Sequence, residues 1–151
     1  MAQRAAPFSS ELMNISLLQR LADDTPDQPE TEWEIKSNWI FDELRMLFDS
    51  RPRIAGLEKN NSVNHTVINY GLAEGFPSES LPVARVEIIR QRIVTLLARF
   101  ETRLTEVNVM VHQPDFPWVE FVIQAQWNEQ PLSCLLIWDD AMSTFYLNES
   151  A

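Results

Sequence analysis

The sequence predicts an α+β domain, with N-terminal helices packed on one face of a C-terminal antiparallel sheet of three to four strands. Three observations carry that expectation. Apolar residues recur every three or four positions as far as Phe100, and after Leu104 the spacing changes to alternation. The alternating segments then follow one another through connections too short to hold crossover helices.

A first helix is expected from Ser10, capped by Ser9 or Ser10, with Leu12, Ile15, Leu18 and Leu21 on one stripe. The stretch from Asp23 to Glu34 is acidic and contains Pro26 and Pro29, so it reads as a solvated loop. Residues 1–30 are thus expected to form an N-terminal helix and acidic loop before one α+β domain over 31–151. Thr31 and Glu34 stand at capping-box spacing and open a second helix along Trp33, Ile40, Leu44 and Leu47, which Arg51-Pro52 closes. In the stretch Gly56 to Gly75, Val63, Val67, Ile68 and Leu72 fit one or two helical turns closed by Gly71. A third helix opens at Pro82 and runs through Val86, Ile89, Ile93, Leu96, Leu97 and Phe100. Val107, Val109 and Val111 then mark a first strand, Val119 to Trp127 a second, Leu132 to Trp138 a third after a turn at Asn128 to Pro131, and Phe145 to Leu147 a fourth.

Composition narrows the function classes. The chain has 151 residues, 45% of them hydrophobic, enough for one core. Its 22 acidic residues against 12 Lys and Arg give a formal charge of -10, which repels phosphate backbones and anionic headgroups, so neither nucleic acid nor membrane insertion is expected. Met1 to Ser10 lacks the apolar run of a secretory signal, and a cytoplasmic location follows as the expectation. Cys134 lies inside the apolar run Leu132 to Trp138 and reads as a small core residue.

The chemistry-bearing residues are sparse. Gly56, Gly71 and Gly75 make no phosphate-cradling loop, and His65 and His112 have no neighbours at metal-ligand spacing, so no cofactor or metal is expected. The Asp139-Asp140 pair fits a turn better than a metal site, because adjacent strand residues point to opposite faces. Glycoside hydrolysis needs two carboxylates across a cleft, for which Glu101 and Glu120 are the best candidates, but such pairs leave no spacing signature.

Arg85, Arg92 and Arg99 repeat at seven-residue spacing along the third helix. Their stems either snorkel along the core edge or form a surface for an acidic partner. At the exit of that helix stands Phe100-Glu101-Thr102-Arg103-Leu104. This stretch resembles the Glu-Pro-Arg signature of the TssE family of type VI secretion baseplate wedge proteins and of related wedge proteins of contractile-tailed phages. Ser16 to Leu21, Val67 to Leu72 and the closing strands are similar to that family in order and spacing, so the resemblance covers nearly the whole chain. Thr102 departs from the family proline, and an extended backbone at Thr102 is expected to keep Glu101 and Arg103 in outward or pairing geometry, the plainer reading of the two being a local helix-end salt bridge.

The resemblance implies a non-enzymatic subunit that assembles with TssF, TssG and TssK and offers the sheath proteins TssB and TssC a platform for polymerisation. It implies partner-binding residues Glu101, Thr102, Arg103 and Arg99, and a sheath-facing surface on the C-terminal strands. The alternative, attached to the same family as a lysozyme-like label, is a peptidoglycan-acting glycoside hydrolase.

Overall fold

A computed structural model describes residues 39–54, 60–73, 75–76 and 82–149. The chain divides into Met1–Ser37 and Asn38–Ala151, and every described residue belongs to the second unit. The expected first helix, the acidic loop and the start of the second helix lie outside the described residues.

The elements are α1 (Trp39–Asp49), a short 3-10 turn (Val67–Asn69), α2 (Pro82–Phe100), β1 (Thr105–Gln113), β2 (Trp118–Trp127), β3 (Gln130–Asp139) and β4 (Thr144–Glu149). The strands form one antiparallel meander in the order β1-β2-β3-β4, so the molecule has the α+β arrangement that the change of period predicts.

Both helices are amphipathic, and their apolar faces meet one face of the sheet. From α1 come Trp39, Ile40, Leu44, Leu47 and Phe48, and from α2 Val86, Ile89, Ile93, Leu96 and Leu97. They pack on the inward alternation of the strands, above all Val119, Phe121, Ile123, Cys134, Leu136 and Trp138. The core is therefore one helix layer against one sheet face. Pro82 sits at the first position of α2, where its missing N–H would have had no helical acceptor.

The end of α1 is fastened by its neighbours. Arg51 donates to the carbonyls of Phe48 (2.7 Å) and Ser50 (3.0 Å), and also to that of Ser143 (3.1 Å) in the β3–β4 turn. Gly71 passes directly over this helix end. Its φ is +108°, and a Cβ built there would lie 2.3 Å from the Ser50 oxygen, so only glycine lets Leu72 donate to that oxygen at 3.0 Å. Of the one or two helical turns expected from Val63 to Leu72, the segment makes one, the 3-10 turn closed by Gly71, preceded by turn bonds from Val63 to Asn60 and from Thr66 to Val63. Val67 and Ile68 are exposed on it, and Ile68 and Leu72 bond back to Arg53 and Ser50.

The β2–β3 hairpin closes through Asn128 (φ 49°) and Glu129 (φ 62°), two left-handed residues whose twist suits a two-residue connection. Pro131, placed in the turn by the sequence, belongs to β3. It lies beyond the reach of β4, which pairs with β3 only from Cys134 to Asp139, so no ladder bond is lost there. β1 is irregular, with register shifts between Thr105 and Asn108 and between Val111 and Gln113.

Candidate functional site

The residues singled out at the helix exit form a tight structure. Glu101 donates its N–H to the Leu97 carbonyl (2.9 Å), and its own carbonyl accepts from Leu104 N–H (3.1 Å). Thr102 is therefore the exposed second residue of a four-residue turn between α2 and β1, not an extended residue as expected. The second position of such a turn accepts proline's φ as readily as that of threonine.

The turn folds Arg103 back onto Glu101. Arg103 Nε and Nη2 donate to the two Glu101 oxygens, each at 2.6 Å, and Nη2 also donates to Glu43 Oε2 on α1. The guanidinium lies over the Trp39 ring, 4.9 Å from its centroid. Glu101 is only 4% exposed, and both its oxygens are committed to Arg103. Burial alone would lower the Arg103 pKa, but the bonds to Glu101 and Glu43 more than offset it and hold the pKa above its ordinary value.

An aromatic frame surrounds the charges. Trp39 meets Trp127 edge-to-face at 5.3 Å, and Tyr70 meets Phe100 in the same way at 5.2 Å. Burial, and then the negative charges of Glu43 and Glu101, push the Tyr70 hydroxyl upward. Glu43, Trp39 and Tyr70 are the members that sequence reasoning missed. Glu43 stands one turn after Trp39 on the flank of the α1 stripe, a position that signals a carboxylate near the core edge without naming its partner.

Arg99 is not among these contacts. It lines, with Arg92, Asn69, Leu72 and Phe100, a separate groove of about 440 Å³ along α2. Arg92 and Arg85 of the same stripe bond within the chain. Arg92 donates to the carbonyls of Ala73 (2.7 Å) and Gly75 (2.5 Å), and Arg85 pairs with Asp140 at 3.3 Å. Both lie over Phe76, at 5.3 and 5.5 Å, and so clamp the segment before α2.

The remaining candidates have structural partners. Asp139 accepts from Trp118 Nε1 (3.1 Å) and from the N–H groups of Ala141 (3.0 Å) and Met142 (3.1 Å), so it holds the β3–β4 turn. The Trp118 bond first, and then the backbone bonds, keep its carboxyl below the usual range. Glu120 points outward from β2, while Glu101 is enclosed on the helix side, and the two are not brought to one cleft. Burial alone pushes the Cys134 thiol up to about 12. Among the described residues, no group of His, Cys, Asp or Glu is placed to hold a metal, and no helix is long and apolar enough to cross a membrane.

No family model matches the chain, and neither a curated protein nor a solved structure matches it.

Proposed function

We propose that the chain is a structural subunit of a type VI secretion baseplate wedge, of the TssE kind. It works at the cytoplasmic side of the inner membrane with TssF, TssG and TssK, and it gives TssB and TssC a platform for sheath growth. The observation that carries this reading is the turn Glu101-Thr102-Arg103. A buried bidentate pair locks it, a second helix braces it through Glu43, and Thr102 is left exposed at its tip. A rigid, presented turn suits docking, since little ordering entropy is lost when a partner binds. The meander also has two edge strands, β1 and β4, and the outer backbone groups of an edge are available for strand addition by a sheath subunit.

The test is reconstitution of the tagged chain with TssF, TssG, TssB and TssC produced in the same cells. The wild type is expected to bring down the wedge proteins, and Thr102→Trp, which leaves the buried pair intact, to keep its circular dichroism spectrum and lose them. Failure of the wild type to bind any of the four overturns the assembly reading. Wild-type binding by Thr102→Trp would remove the turn from the interface.

A further inference from the structure

The open face of the sheet departs from the pattern of a solvated face. An antiparallel sheet covered on one side alternates apolar and polar residues, yet β3 reads Leu132 to Trp138 with only Ser133 polar. Its outward positions include Leu135 and Ile137. The register sets Met110, Val122 and Leu135 side by side, and joins Glu120, Ile137 and Tyr146 in the next row. Met110 is 41% exposed, Tyr146 52% and Trp118, at the end of the same face, 60%. Two aromatics and an apolar centre ringed by Gln124, Ser133 and Asn148 have the anatomy of an interface.

Charge defines the partner. From Thr105 to Glu149 the chain contains seven carboxylates and no Lys or Arg. Asp140 and Glu149 are met by Arg85 and Arg45 from the helix side, whereas Glu120 stands on the open face itself, beside Ile137. A second copy packed face to face would offer Glu120 no cation, because its own strands carry no Lys or Arg. Backbone geometry narrows the choice further. The central strands β2 and β3 are paired on both sides, so a strand laid on this face would find no partners for its own N–H and C=O groups. A helix satisfies its backbone internally and packs on a sheet through side chains alone.

We propose that this outer face, centred on Val122, Leu135, Ile137 and Tyr146, docks an amphipathic helix of a partner protein, with its apolar stripe on the sheet and a flanking Lys or Arg on Glu120. The surface is distinct from the Glu101–Arg103 turn and from the sheet edges, and it stands whether or not the assembly is the one proposed above.

Site-specific photocross-linking in the native cells tests it, with p-benzoylphenylalanine replacing Tyr146, or Val83 on the helix side as a control (79% exposed). The expected product at position 146, sequenced by mass spectrometry, is a segment with apolar residues at helical spacing and adjoining Lys or Arg, not recovered from position 83. Adding Glu120→Lys is expected to reduce its yield roughly tenfold, and Glu120→Gln by less. Circular dichroism of both variants separates this loss from misfolding. Cross-linking back to this chain, as a second copy or within one molecule, to a segment without Lys or Arg, or to nothing overturns the proposal, as does an undiminished yield in a folded Glu120→Lys variant.

Discussion

At Arg103 a single guanidinium compensates two carboxylates, and its removal should be felt more than that of either acid. Arg103→Ala leaves Glu101 buried and uncompensated, so a loss of roughly 3–5 kcal/mol is expected in urea denaturation. Glu43→Gln keeps an oxygen toward Arg103 and should cost about 1 kcal/mol. Equal losses for the two variants would contradict the geometry. Cys134 has the opposite character. Buried, and with its pKa raised to about 12, it should resist a thiol-reactive disulfide reagent in the native state and react fully in denaturant. Rapid native labelling would place it outside the core. Asp139 ties stability to pH. Because its folded pKa lies below the unfolded value of about 3.9, its contribution is fully present above that pH. It is lost as pH falls through the lower, folded value. Acid unfolding of Asp139→Asn should lack this component, and an acid transition identical to the wild type would rule it out.

The elements differ in how openly the sequence declares them. The bounds of α2 are legible because Pro82 fixes its start and the apolar stripe runs out at Phe100. β1 and β2 are legible because their alternation is set by one buried face, and β3 as a short apolar run that follows a turn. The segment before Gly71 is legible only in part, since its helical turn and closing glycine can be read while the decisive contact is with Ser50, distant in sequence. Two turn substitutions test the local backbone. Glu129 has φ 62°, a conformation that glycine adopts freely, so Glu129→Gly should raise stability by about 0.5–1 kcal/mol. Thr102→Pro occupies a turn position that accepts its ring and should raise the melting temperature by a few degrees. A lower melting temperature in either variant would show that the turn is held by something other than its φ angles.

For the whole molecule, periodicity reveals which residues face the core but not which charged groups meet across it. Glu101 and Arg103 announce themselves as neighbours, while Glu43 joins them from 60 positions earlier in the sequence. Such a pairing has no local trace, because it depends on where α1 lies against the exit of α2. The same limit applies to the sheet's outer face, whose apolar row appears only once the register aligns Val122 with Leu135. The meander order has a further, kinetic consequence. Every strand pairs with its neighbour in sequence, and β2 and β3 match over ten residue pairs across a two-residue turn, so the sheet closes through short loops. That hairpin is suited to act as the folding nucleus, around which the helices condense later. Substitutions such as Ile123→Val should then slow folding, whereas Leu44→Ala should chiefly speed unfolding.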